Sequence, residues 1–287
     1  MKSVAPLSDP RIDALRNDDR WIKVPRFEYC LDLLERAFNA KTRGRPVCYI
    51  FIADASMGKT SIALRFLARH PPQRNPAAEH DLIPVLYVPV GDGPELGALL
   101  SRMLRLLGLQ YVPPRRRIYE LHEQVAALCK KLGVRMIIFD EIHHLLAGSA
   151  KIQERCRNFI KDLTNDLQIP IIAMGIESAS QALLCDPQLR TRFRPVRISV
   201  WEYGDDLLNF LISLERKANL HQPSNLAQSA IVHKILEKTG GYTGLIIELV
   251  TEAAAEAIRD GSERITLETI EKCEWVPPAF PGMSFAF

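Results

Sequence analysis

The sequence predicts an α/β fold in which a parallel sheet flanked by helices is followed by a small all-helical domain. Three observations carry this. Apolar runs of strand length, such as 47–52 and 134–139, lack polar alternation, as strands buried on both faces require. Segments with helical periodicity separate these runs, which is the pattern of right-handed, parallel βαβ units. After Trp201 no further strand-like run occurs, and helical patterns follow.

The length, 287 residues, suits a full α/β core and a second, smaller domain. A charged fraction of 25% beside 47% hydrophobic residues excludes an intrinsically disordered chain. The net charge of +3 neither demands nor excludes nucleic acid, so only the placement of charge can argue for it. The cysteines (Cys30, Cys48, Cys129, Cys156, Cys185, Cys273) form no C-x-x-C pair and sit mostly in apolar patterns. That favours buried free thiols over disulfides or zinc. No apolar leader and no membrane-spanning window is present, so the expectation is a cytoplasmic protein with no membrane partner.

Residues 1–45 read as an N-terminal arm and helix, polar at first, with Pro6, Pro10 and Pro25. Trp21-Ile22-Lys23-Val24 fits either the lining of an adenine pocket or a hydrophobic anchor for the arm. A helix from about Arg26 to Lys41 puts Phe27, Leu31, Leu34 and Phe38 on one face. The α/β domain, 46–200, opens with the strand Val47-Cys48-Tyr49-Ile50-Phe51-Ile52. Ala53-Asp54-Ala55-Ser56-Met57-Gly58-Lys59-Thr60-Ser61 follows and leads into a helix. Strand, loop ending in Gly-Lys-Thr, and helix together read as a phosphate-binding loop. Amides at the helix N-terminus face phosphates, Lys59 reaches the β- and γ-phosphates, and the Thr60 hydroxyl ligates Mg²⁺. Ala53 stands where the pattern G-x-x-x-x-G-K-[ST] has its first glycine.

Pro71-Pro72 stops that helix; a strand at Leu82–Val90 and a helix at Glu95–Leu107 come next. Arg115-Arg116-Arg117 precede a helix marked by Ile118, Leu121, Val125, Leu128 and Leu132. Positive charge there opposes the helix macrodipole, so the placement favours phosphate-backbone contact over a solvated loop. The strand Val134–Phe139 ends in Asp140-Glu141. An aspartate there holds the Mg²⁺ water shell and the adjacent glutamate polarises an attacking water. With Lys59-Thr60 upstream, this is an ATPase core whose ligands are ATP and Mg²⁺, gripped between two neighbouring strand tips. His143-His144 lack metal-site spacing and suit packing or polar support.

The amphipathic helix Lys151–Leu167 turns Ile152, Cys156, Phe159, Ile160, Leu163 and Leu167 inward. Lys151 and Arg155 lie on its other face, open either to solvent or to a nucleic-acid backbone. Strands follow at Ile169–Met174 and Val196–Val200. The helical domain, 201–275, holds helices at Asp205–Ala218, Leu226–Lys238, Gly244–Ile258 and Leu267–Trp275. A tail, 276–287, carries Phe280, Phe285 and Phe287, which either dock on a partner or pack back.

This order resembles the AAA+ P-loop ATPases and, within them, the TniB/TnsC transposition proteins. Asp140-Glu141-Ile142-His143-His144-Leu145-Leu146-Ala147-Gly148-Ser149, Gly175-Ile176-Glu177-Ser178-Ala179 and Asp186-Pro187-Gln188-Leu189-Arg190-Thr191-Arg192-Phe193 carry the resemblance, with Trp201 and Gly240-Gly241. It implies an ATP-dependent, sequence-nonspecific binder of duplex DNA that forms a homo-oligomeric ring or filament and recruits or activates a DDE transposase. It also implies that Arg192, with Arg190 in reserve, is an arginine finger for a neighbouring subunit's nucleotide. Ile176 and Leu245 replace the polar sensor residues of many relatives, which implies slow hydrolysis. Two rivals are a helicase-loader or replication-initiation ATPase and a non-hydrolysing nucleotide-sensing scaffold.

Overall fold

The computed structural model describes residues 9–18, 20–40, 45–76, 80–91, 93, 95–110 and 117–278. In chain order the helices are α1 (Pro10–Arg16), α2 (Pro25–Asn39), α3 (Lys59–Arg69), α4 (Leu96–Leu106), α5 (Ile118–Lys131) and α6 (Ala150–Leu167). They continue with α7 (Glu177–Leu184), α8 (Pro187–Arg192), α9 (Asp205–Ala218), α10 (Ser229–Thr239), α11 (Thr243–Arg259) and α12 (Leu267–Lys272). The strands are β1 (Cys48–Ile52), β2 (Val85–Pro89), β3 (Met136–Asp140), β4 (Ile171–Gly175) and β5 (Phe193–Arg197).

The chain divides into two compact units, Tyr29–Ile198, and Met1–Glu28 with Ser199–Phe287. The boundary falls inside α2, and the described residues 9–18 and 20–28 group with the C-terminal helices.

In the sheet unit all pairings are parallel and the strand order is β2-β3-β4-β1-β5. Strands β1, β3 and β4 are buried along their whole length, which explains their unbroken apolar runs. Cys48, Ile50 and Ile52 of β1 join Leu100, Met103 and Leu104 of α4, Val125 of α5 and Phe159 and Leu163 of α6 in one core. The outward face of α6 carries Lys151, Arg155, Asn158 and Asp162, all exposed.

The expected fifth strand is displaced. It begins at Phe193, with Arg194, Pro195 and Arg197 exposed, because an edge strand tolerates proline and charge that a central one does not. The second strand is shorter than its apolar run, since Leu82 leaves the sheet to bridge Gln73. Helices α1, α7 and α8 have too few turns to show periodicity. Helix α8 is nevertheless set by its cap: Asp186 accepts from the amides of Gln188 and Leu189, ahead of Pro187 at the first position.

In the helical unit Trp201 is the centre of packing. Its ring stacks on Phe210 (4.8 Å), the Arg26 guanidinium lies 3.5 Å above it, and Phe27 meets it edge-on. Gly241 approaches the Trp201 backbone so closely that a Cβ would lie 2.2 Å from the carbonyl oxygen, and its φ is +75°. Only glycine fits there. Trp21 is an anchor within this unit, its indole donating to Glu28 (2.8 Å) beside Phe27. Four of the six thiols are buried, whereas Cys185 is exposed and Cys273 half-exposed; none of the six is in a disulfide. Among the described residues no helix is long and apolar enough to cross a membrane.

Candidate nucleotide site

The loop between β1 and α3 takes its shape from local backbone geometry. The Ala53 amide donates to Gly175 O (3.0 Å), so the chain leaves β1 still in ladder geometry. Ala53 keeps a negative φ, and alanine therefore replaces glycine there without strain. The chain then turns through Ser56 (φ 58°) and Gly58 (φ 89°), the residue that caps α3. Left-handed residues in such a turn aim successive amides to one side, and the first amides of α3 have no acceptor within the helix. Asp54, Ala55, Ser56, Thr60 and Ser61 are exposed, while Met57 is buried and anchors the turn.

Lys59 is only 4% exposed. Its ammonium donates to the carbonyls of Ala53 (2.8 Å) and Asp54 (2.9 Å) and lies 3.9 Å from Glu141 Oε1. Burial lowers its pKa, and the carboxylates of Glu141, Asp140 and Asp54 pull the other way. The lysine is thus held inside the loop by two backbone carbonyls, beside the Glu141 carboxylate.

The two motifs meet at Asp140. Thr60 Oγ1 donates to Asp140 Oδ2 (2.6 Å), although the two lie 80 residues apart. The expected arrangement of neighbouring strand tips needs correcting, because β4 runs between β1 and β3. The loop and the first turn of α3 span the tip of β4, and that is how Thr60 reaches Asp140. Gly175 ends β4 beneath this crossing, where a Cβ would come within 3.0 Å of Ile142.

Asp140 is 2% exposed, and two further donors reach its carboxylate. Tyr87 of β2 gives its hydroxyl to Oδ2 (2.8 Å), and the Glu141 amide donates to Oδ1 (3.0 Å). Burial, the hydrogen bond to Asp140 and nearby negative charge push the Tyr87 phenol well above its ordinary range. It keeps its proton and remains a donor. Sequence reasoning missed Tyr87; a tyrosine inside an otherwise apolar strand was the available signal.

Glu141 leaves β3 with φ 56°, a left-handed conformation uncommon for a residue with a side chain. Its carboxylate lies 3.0 Å from His143 Nδ1, an ion-pair distance without hydrogen-bond geometry. Burial and the adjacent His144 lower the His143 pKa against the pull of Glu141.

A hydroxyl and a carboxylate converging beside a buried lysine are hard oxygen ligands of the kind Mg²⁺ takes with a nucleotide. The donor set therefore fits Mg²⁺ together with a nucleotide.

The other sequence-predicted residues lie elsewhere. Arg192 is 9% exposed, its Nε has no hydrogen-bond partner, and its charge is felt by the Cys48 thiol. It precedes Phe193, which pairs with Cys48 at the start of β1, whereas the phosphate loop follows the end of β1. About 16 Å of strand separates them, so Arg192 cannot serve its own nucleotide loop. Arg190 is exposed. Ile176 is the N-cap of α7, and Leu245 is fully buried in α11. Arg117 is exposed at the N-cap of α5, while Arg115, Arg116 and the tail phenylalanines Phe280, Phe285 and Phe287 lie outside the described residues.

Comparison with known proteins adds to this geometry. Cdc6p from Pyrobaculum aerophilum superposes with a TM-score of 0.62 at 16% identity, over 88% of this chain and 68% of that one. The Aeropyrum pernix ORC2 protein, in ADPNP–ADP complexes, gives 0.61 at 16% identity over 92% and 71%. The Aeropyrum pernix ORC1 protein in complex with DNA gives 0.57 at 15% over 91% and 68%. These likenesses show the fold, that of the AAA+ P-loop ATPases. No curated protein matches in sequence. The family described as bacterial TniB protein matches residues 11–203, more than half of the sequence, and the chain belongs to that family.

Proposed function

We propose that this chain is an ATP-dependent, sequence-nonspecific DNA-binding regulator of transposition that oligomerises on target DNA and recruits or activates a DDE transposase. The observation that carries it is the junction of Lys59, Thr60, Asp140 and Glu141 in a member of the TniB family. In this reading the amides of 55–60 and Lys59 bind the phosphates, and Thr60 and Asp140 hold Mg²⁺. The ion supplies the charge that stabilises the transferring phosphoryl group. Glu141 orients the attacking water and takes its proton.

An arginine from an adjacent subunit completes the pocket and makes hydrolysis depend on assembly. Arg192 is the proposed finger, and because it is buried in this chain, assembly has to expose it. Arg190 already faces solvent. Loss of hydrolysis in Arg192→Ala but not in Arg190→Ala identifies the first; the reverse result identifies the second.

The basic residues Arg115, Arg116, Arg117, Lys151 and Arg155 are proposed DNA-backbone contacts. The DNA-bound state of the Aeropyrum ORC1 relative supports DNA as the ligand. The replication-initiation alternative has only the fold likeness behind it, whereas the family match favours transposition. Electron microscopy with an ATP analogue and duplex DNA tests the assembly, and a transposase-stimulation assay tests the partner. Purified protein that takes up no ATP in the presence of Mg²⁺ would overturn the proposal.

A further inference from the structure

We propose that Tyr87 is a positioning residue for Asp140, its hydroxyl fixing the carboxylate that faces the metal of a bound nucleotide. The inference rests on the reading of this site as a Mg²⁺-nucleotide site. Tyr87 is opposite Ile138 and Pro89 is opposite Asp140 in the β2–β3 ladder. On a pleated sheet residues two apart share a face, so Tyr87 and Asp140 lie on one side, about 6.6 Å apart along the strand direction. A phenol spans that distance, and its hydroxyl meets Oδ2 at 2.8 Å. Phenylalanine would fill the same space without the donor.

The donors on Asp140 differ in what they belong to. Thr60 is part of the nucleotide loop, and on the proposed reading its oxygen would be engaged by the metal rather than by Asp140. Tyr87 and the Glu141 amide belong to the sheet. Tyr87 is thus the side-chain donor that holds Oδ2 independently of the loop. Partners of this kind orient a ligand before the metal arrives, and their loss typically weakens metal affinity by roughly 10–100-fold.

The experiment uses the full chain and a fluorescent ATP analogue at fixed concentration, titrated with Mg²⁺. Tyr87→Phe is expected to raise the Mg²⁺ midpoint about tenfold or more. Nucleotide binding in EDTA and the melting temperature should stay at the parent's values. In an Asp140→Asn background the same substitution should add nothing to the Mg²⁺ midpoint, since Tyr87 acts through that carboxylate. An unchanged midpoint in the single variant overturns the inference, and so does an equal loss of binding in EDTA and in Mg²⁺. A parent chain that shows no Mg²⁺-dependent nucleotide binding overturns both this inference and the proposed function, whereas a failure confined to Tyr87→Phe leaves that function standing.

Discussion

The sheet unit and the helical unit bury their polar groups differently. Among the described residues the buried charged side chains are Lys59, Asp140 and Arg192, all in the sheet unit. The helical unit buries the hydroxyls of Ser224, Thr239 and Thr243 instead, and each is satisfied. Thr239 donates to Ile235 O, Thr243 accepts from the Trp201 indole, and Ser224 accepts from the Ile265 amide. Burying a charge is expensive unless it is paired, and burying a bonded hydroxyl is not. The sheet unit tolerates that cost for Lys59 and Asp140 at the tips of β1 and β3, where a phosphate and a metal would meet the charges; Arg192 lies at the other end of β1. The helical unit has the polar economy of a structural core. A residue's effect on ligand binding and its effect on stability should therefore separate by unit.

The largest expected effect is on chemistry in the sheet unit. Glu141→Gln should cut ATP turnover roughly 10²–10⁴-fold, the usual share of a general base, and leave ATP binding intact. If hydrolysis is the step that releases the assembly, assemblies on duplex DNA should then persist; variant assemblies that fall apart as quickly as the parent's would break that link.

Next in size is a stability effect in the helical unit. Trp201→Ala removes the ring between Arg26 and Phe210 and should cost about 3–5 kcal/mol in chemical denaturation. A loss below about 1 kcal/mol would show that this ring is not the packing centre.

Lys59→Ala comes third and has the opposite profile. ATP affinity should fall roughly 10–100-fold, as hydrogen bonds to charged groups are lost. The melting temperature should hold or rise, because a buried cation is removed. A sharp fall in melting temperature would place Lys59 with the structural residues and erase the contrast between the units.

The smallest effect is acid sensitivity at Glu263. Its pKa is pulled down to about 2, chiefly by the hydrogen bond from Arg11 (2.7 Å), with the His221 amide and Arg11's charge assisting. A lowered carboxylate pKa stabilises the fold above the unfolded value and loses that contribution as pH falls through the folded one. The melting difference between parent and Glu263→Gln should be constant above about pH 5 and vanish toward about pH 2. A difference that grows on acidification would reverse the assignment. The side chain's partial exposure keeps the effect small.

Much of this was legible in the residues. β1, its loop and α3 are contiguous, so their chemistry could be read at one place in the chain. Asp140-Glu141 was legible because a run of buried apolar residues has to end where its carboxylates begin. The edge strand β5 was read too late in the chain because Pro195 and two exposed arginines hide its strand character. Helix α8 was overlooked because six residues cannot display a helical stripe, even with a good cap. His143 was read as packing or polar support, and the structure sets it beside Glu141.

What the sequence alone determined is the fold class and the chemical inventory of the nucleotide loop, since both follow from local pattern and from residue types at fixed spacing. Only the tertiary structure decided that β4 separates the two key strands and that Thr60 nonetheless reaches Asp140. It alone brought Tyr87 to that same carboxylate and buried Arg192 at the far end of β1. Strand order and register are set by contacts between residues distant in the chain, and such contacts leave no periodicity to read.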